Sequence, residues 1–208
     1  MTRTSGILAA VAVAALLGVG WYWVFGRGDG GDLFADCRTS VVAGGSGSIG
    51  GPFTLVNAAG QTVTDADVIT KPTLIYFGYT FCPDVCPLDT VRNADALDML
   101  AEMGHDAQGV FISIDPERDT PEVVGEFTSY LHPAMIGLTG SPEQVKAASQ
   151  AYKTYYRKQD GDPEYYLVDH STFSYLVLPE HGFVEFFRRD ITSEQVATQA
   201  ACFIEAAG

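Results

Sequence analysis

The chain has 208 residues, a formal net charge of −14 and only twelve lysines and arginines. That balance excludes a nucleic-acid role, because phosphate recognition needs a basic surface. With one apolar segment set aside, the remainder has room for a single domain with a proper core.

Residues 1–26 read as a membrane anchor. An uncharged apolar run from Ile7 to Phe25 extends roughly 28 Å as a helix, close to the thickness of a bilayer's hydrocarbon core, so one transmembrane helix is expected over about 7–25. Trp21, Tyr22 and Trp23 close the run, where amphipathic rings prefer the membrane interface. A cleaved signal peptide is the competing reading, but its apolar region would be shorter and end in a small-x-small site. Phe34-Ala35-Asp36 before Cys37 is no lipid-attachment box. Arg3 lies on one side of the run, and Asp29, Asp32 and Asp36 follow Arg27 on the other. The weak positive-inside bias puts the N-terminus in the cytoplasm and the bulk of the chain outside. No Arg- and Ser-rich organellar presequence is present, so the expected setting is a single-pass protein of a bacterial inner membrane facing the periplasm.

Residues 27–48, rich in Gly, Ser and Asp, read as a flexible spacer, and 49–208 as one α/β domain. Phe53 to Val56, the turn Asn57-Ala58-Ala59-Gly60 and Gln61 to Val63 predict a leading β-hairpin. Thr73 to Phe77 is a buried strand. Beyond Cys86, Leu88, Val91, Leu97, Leu100 and Met103 recur at helical spacing, with Asp89, Arg92, Asp95 and Asp98 assigned to the wet face and Gly104 to the stop. Gly109 to Ile114 is a second apolar strand. Thr120-Pro121-Glu122 opens a helix, and Ser141-Pro142-Glu143-Gln144 opens another with a capping box. A hairpin (Phe173 to Leu178, then Phe183 to Phe187) and a helix from Thr192 finish the chain. Parallel strands first and an antiparallel hairpin last predict a thioredoxin-like fold.

The chemistry concentrates in Gly78-Tyr79-Thr80-Phe81-Cys82-Pro83-Asp84-Val85-Cys86-Pro87, at a strand-to-helix junction. A helix N-terminus carries partial positive charge and unpaired N–H groups, which favour thiolate, the form that attacks disulfides and binds soft metals. If the segment is helical, the i, i+4 spacing puts the two Cα atoms about 6 Å apart on one face, within disulfide range. It departs from the two-residue spacing of the common redox motif, and equally lets both sulfurs meet one ion. Two soft thiolates favour Cu(I) or zinc; structural zinc wants four ligands, whereas Cu(I) is content with three.

Four histidines compete for the third place. His105 reads as a solvated turn residue. His132 stands at a helix end, where an imidazolium suits the dipole. His181 sits at the tip of the last hairpin, far from the site. His170, in Asp169-His170-Ser171-Thr172, precedes the strand that in a thioredoxin-like fold enters beside the cysteine loop. Thioredoxin-type oxidoreductases carry a cis-proline there, and this chain has none. Of the other cysteines, Cys37 and Cys202 are expected to pair in an oxidising periplasm, the alternative being that Cys202 is a small core residue.

Gly78 to Pro87, Ser113-Ile114-Asp115-Pro116-Glu117-Arg118-Asp119-Thr120-Pro121-Glu122 and Tyr166 to Tyr175 resemble the three signatures of the Sco/SenC family of membrane-anchored copper chaperones for cytochrome c oxidase assembly. The resemblance implies that Cys82, Cys86 and His170 bind copper, as Cu(I) and also Cu(II), and that the acceptor is the binuclear copper centre of oxidase subunit II, reached directly or through its assembly factors. Two alternatives stay open: a thiol–disulfide oxidoreductase using Cys82 and Cys86 as its redox pair, and a copper- or redox-sensing signalling protein. Asp115 and Asp119 read as loop-bracing or helix-capping residues. Asp84 and Asp89 read as solvated carboxylates at a helix N-terminus, or as charges that steer a partner.

Overall fold

Three short runs of the sequence, Thr73–Gly78 (β3), Gln108–Ser113 (β4) and Ser174–Leu178 (β8), are strands with every residue buried. Strands covered on both faces lose the alternation of a half-buried sheet and read as continuous apolar stretches. The structure is a computed structural model and describes residues 15–22, 32–39, 46–162 and 164–208. Around β3, β4 and β8 runs one seven-stranded sheet, completed by β1 (Thr54–Asn57), β2 (Thr62–Thr64), β5 (Met135–Thr139) and β9 (Gly182–Phe187) in the order β2-β1-β5-β4-β3-β8-β9. β3, β4 and β5 are parallel; β8 runs antiparallel to β3, and β1 antiparallel to β5. A separate two-stranded ribbon is formed by β6 (Tyr156–Lys158) and β7 (Val168–His170).

The helices begin where their sequence signals lie. After the one-turn α1 (Asp65–Val68), α2 (Val85–Glu102) follows the cysteine loop. Thr120 caps α3 (Pro121–Leu131), accepting from the Val123 N–H with proline in the first turn. Ser141 and Gln144 close a reciprocal capping box on α4 (Pro142–Ala151), and Thr192 and Gln195 do the same on α5 (Ser193–Ala207). α2 ends at Met103, and Gly104 turns away at φ +91°. α2 and α5 pack together, while α3 lies along β5. This is a mixed α/β, thioredoxin-like architecture with a leading hairpin.

Two expectations need correction. The sequence reading places no strand between the helices opened at Thr120 and Ser141, yet β5 lies there as the third parallel strand. Its central Gly137 lies so close to α3 that a methyl group there would meet the Val124 carbonyl. The buried face of α2 is only in part the expected apolar one: Leu97 and Leu100 are buried, but Leu88, Val91 and Met103 are exposed, and Asp89, Thr90, Asn93 and Ala96 are buried instead.

By Cα packing the chain divides into residues 1–35 and 36–208. The expected anchor over 7–25 lies outside the described residues except for 15–22, which are helical, and most of the 27–48 spacer lies outside them too. Among the described residues no helix is long and apolar enough to cross a membrane. In the second unit Cys37 and Cys202 form a disulfide, Cα atoms 5.7 Å apart. Just beyond it Arg38 donates to the Val184 carbonyl at 2.6 Å and the Thr39 N–H to Glu185 at 3.2 Å, which covers the edge strand β9.

Candidate metal centre

Strand register brings three segments to one edge of the sheet. Gly78 at the end of β3 is level with Ser113 at the end of β4, and Tyr76 is level with Ser174, the first residue of β8. The cysteine loop, the 114–120 connection and the His170 segment therefore meet at the carboxyl ends of the parallel strands, the usual position for a site in such sheets.

Sγ of Cys82, Sγ of Cys86 and Nε2 of His170 lie within 4.8 Å of one another. Two metal–sulfur bonds of about 2.3 Å span at most about 4.6 Å, so one ion fits among them with small adjustments. The expected helical pairing of the cysteines is only half realised. Cys86 is in the first turn of α2, but Cys82 sits in the turn before it. There its sulfur accepts the Cys86 N–H at 3.5 Å, and Asp84, at the cap position, makes no side-chain cap bond. A sulfur thus serves one of the unpaired donors at the helix start.

The two thiols differ sharply. A hydrogen bond from the Cys86 thiol, helped by the N–H groups of Cys86 and Asp84, outweighs burial and brings Cys82 down to about 4. The same bond and full burial push Cys86 far up, so the proton shared by the pair belongs to Cys86. His170 Nδ1 is 2.8 Å from the Ser171 carbonyl, which only accepts; Nδ1 therefore carries the proton. Nε2 faces Cys86 Sγ, 3.3 Å away.

The surroundings fix these atoms. The His170 ring meets Tyr76 and Tyr79 edge-on, at centroid distances of 6.3 and 5.9 Å. The Tyr79 hydroxyl accepts the Val168 N–H at 3.3 Å; burial foremost raises its pKa to about 12. Gly78 admits no side chain, because a Cβ would come within 2.8 Å of the Tyr76 ring, 2.9 Å of Phe111 and 3.0 Å of Cys86 Sγ. Asp119 is fully buried and accepts from the Thr80 N–H (3.0 Å), the Thr80 hydroxyl (2.5 Å) and the Ser113 hydroxyl (2.6 Å). It ties the cysteine loop to the end of β4, while Thr120 takes the cap. Burial raises the Asp119 pKa. Asp115 accepts from Arg118 Nε at 2.5 Å and from the Tyr166 hydroxyl at 2.6 Å.

The other titratable candidates lie elsewhere or play other parts. His105 is not solvated: its ring is largely covered and stands 3.4 Å from Glu205 on α5. His132 does cap α3, but Nδ1 accepts the Ala134 N–H, which leaves Nε2 to donate to Asp98, so it is not the expected imidazolium. His181 lies in the β8–β9 turn. Asp84 is exposed, whereas Asp89 is only 3 % exposed and accepts from the Tyr76 hydroxyl at 3.0 Å, a correction to its reading as a solvated carboxylate. Tyr76, Tyr79 and Arg118 were missed as site residues. The first two stand within six residues of Cys82, in or just after the continuous buried run of β3, the only signal available in the sequence.

The chain matches the family model described as SCO1/SenC over residues 42–205. Protein SenC of Rhodobacter capsulatus is 51% identical over 206 residues, covering 99% of this chain and 92% of its own length. The crystal structure of Arabidopsis thaliana ScoI with copper bound is similar at 41% identity and TM-score 0.71, covering 76% of this chain and 98% of that one. The structure of Bradyrhizobium japonicum ScoI with copper bound is similar at 37% identity and TM-score 0.66, over 74% and 98%. With the model spanning most of its length, this chain belongs to the SCO1/SenC family.

Proposed function

We propose that this protein is a copper metallochaperone of cytochrome c oxidase assembly, anchored in a bacterial inner membrane through residues 7–25, with its domain in the periplasm and subunit II of the oxidase as acceptor. The observation that carries the reading is the convergence of two sulfurs and one imidazole nitrogen within 4.8 Å at a sheet edge. Copper-bound structures of two similar ScoI proteins support it. Copper is cargo here. Three soft or borderline donors suit Cu(I), and the imidazole extends the set to Cu(II). Three ligands leave a position for an incoming sulfur or imidazole, so the ion can pass by ligand exchange without being released. Metal uptake requires both thiols reduced and displaces the proton held by Cys86.

A second reading has its own support. A low-pKa thiol beside a buried, protonated partner is also the arrangement of an attacking and a resolving cysteine in a thiol–disulfide reductase. One experiment separates the two. The reduced full chain in detergent is titrated with Cu(I) and Cu(II) as wild type and as His170→Ala, and disulfide reductase turnover is measured alongside. The chaperone reading expects a large loss of Cu(II) affinity in His170→Ala. Unchanged copper binding with reduced turnover would reject it in favour of the reductase.

A further inference from the structure

The ribbon that carries His170 is not part of the main sheet. Among the described residues β6 and β7 pair only with each other, Tyr156 opposite His170. Beneath them a cavity of about 130 Å³, lined by Ile114, Pro116, Tyr156 and Val168 among others, separates the ribbon from the 114–117 connection. The position of His170 therefore rests on a few side-chain attachments. The Tyr79 hydroxyl takes the Val168 N–H, Lys158 pairs with Glu117 at 2.8 Å, and the Tyr166 hydroxyl donates to Asp115. Arg118 supplies another and differs from these. Its guanidinium carbon lies 3.6 Å from the ring centroid of Tyr166, 4.8 Å from that of Phe81 and 5.7 Å from that of Tyr79. Phe81 adjoins Cys82, and Tyr166 leads into β7, so one cation touches both ligand-bearing segments.

The guanidinium is held for this contact. Nε is fixed to Asp115, the side chain is 14% exposed, and Nη2 is buried without a hydrogen-bond partner among the described residues. A buried guanidinium N–H without an acceptor is costly unless aromatic faces compensate it, and three rings surround this one. Lys158 Nζ lies 3.7 Å from the Tyr166 centroid, so that ring is gripped by two cations. An ammonium is a point charge, whereas a planar guanidinium stacks, and only Arg118 bridges to the cysteine loop.

We infer that Arg118 is a positioning residue of the metal site: stacked between Phe81 and Tyr166, it sets the His170 imidazole against the two sulfurs. The inference rests on the three-ligand reading above. It assigns Arg118 no contact with the ion; its effect passes through the placement of one ligand.

The test uses the reduced full chain in detergent, titrated with Cu(II) and Cu(I) separately, with wild type, Arg118→Ala, Arg118→Lys, Phe81→Leu and His170→Ala compared. Arg118→Ala should lose Cu(II) affinity by about tenfold or more, as loss of an outer-shell partner does, and should weaken the nitrogen superhyperfine coupling in the Cu(II) electron paramagnetic resonance spectrum. Cu(I) affinity, carried by the thiols, should fall less. In the metal-free protein, amide hydrogen exchange across residues 166–171 should quicken while the central strands stay protected. Arg118→Lys keeps the charge but not the planar face and should not restore the nitrogen coupling. Phe81→Leu, at an exposed position that tolerates change, should move exchange and coupling in the same direction by less. Wild-type coupling and exchange in Arg118→Ala would overturn the inference, as would full rescue by lysine, or loss of protection across the whole domain. If His170→Ala itself leaves the Cu(II) spectrum unchanged, the ligand set fails; if it changes the spectrum and Arg118→Ala does not, only the role of Arg118 fails.

Discussion

The hydroxyl of Tyr76 donates to the carboxylate of Asp89 across 3.0 Å, between two side chains that water scarcely reaches. Burial dominates and raises the Asp89 pKa above the ordinary carboxylate value. The sign follows from linkage: the folded protein holds the Asp89 proton more tightly than the unfolded chain, so this group's contribution is full below about pH 4 and is lost as pH rises through the folded value. Asp89→Asn keeps an acceptor for Tyr76 and removes the titration. Urea midpoints at pH 5 and pH 8 should lie closer together in Asp89→Asn than in wild type. An unchanged difference would show that Asp89 does not titrate in the fold. Tyr76→Phe should cost about 1–3 kcal/mol at neutral pH, because the buried carboxylate loses its donor.

Cys82, with a pKa near 4, should remain thiolate across the whole neutral range. In the reduced, metal-free protein, alkylation of Cys82 by iodoacetamide should hold a steady rate from pH 8 to pH 5 and drop only as pH falls towards 4. Cys86, fully buried and pushed upward, should be modified far more slowly throughout. Peptide mapping after partial alkylation distinguishes the two, and equal labelling would contradict the assignment of the shared proton.

Gly78→Ala places a methyl group against the Tyr76 ring, Phe111 and Cys86 Sγ at once. The contacts are with core rings and a strand end, which yield poorly, so the change should cost about 1–3 kcal/mol of stability and weaken metal binding together. A variant with wild-type melting and wild-type copper affinity would mean that the loop has more slack than these distances allow.

Opening the Cys37–Cys202 bridge should act on stability alone. It closes a loop spanning 165 residues, and its removal by Cys37→Ser with Cys202→Ser should cost about 2–4 kcal/mol in denaturant titrations. Copper affinity measured on the same variant should stay within a factor of two or so of wild type, since the three ligands are held by other segments.

Much of this molecule is readable from its residues because the strongest signals are local. The cap residues Thr120, Ser141 and Thr192 act within three positions of themselves, and the apolar runs of β3, β4 and β8 need no partner to be recognised. What hid was set by distant neighbours. β5 is five residues long with a glycine at its centre, which weakens any strand pattern, and that glycine answers to α3 rather than to its own strand. Asp89 reads as wet by composition, yet Tyr76 and Arg189, its partners, are 13 and 100 positions away. Hydrophobic periodicity cannot anticipate a helix face buried through Asp89, Thr90 and Asn93. Arg118 stood inside a recognisable motif, but its three rings come from two other segments, so only the folded chain shows what it holds.

The Cys37–Cys202 bridge also has a bearing on distance. It fastens residue 37 to α5, so the chain is tied to the domain from residue 37 rather than from residue 49, where the spacer reading ends. Residues 27–36 reach at most about 36 Å when fully stretched, against about 79 Å for 27–48. In the proposed membrane setting, a shorter leash would confine the domain nearer the bilayer and raise its local concentration at acceptors embedded there. Under the proposed function, one covalent bond remote from the cysteine pair would limit how far from the membrane copper is handed over.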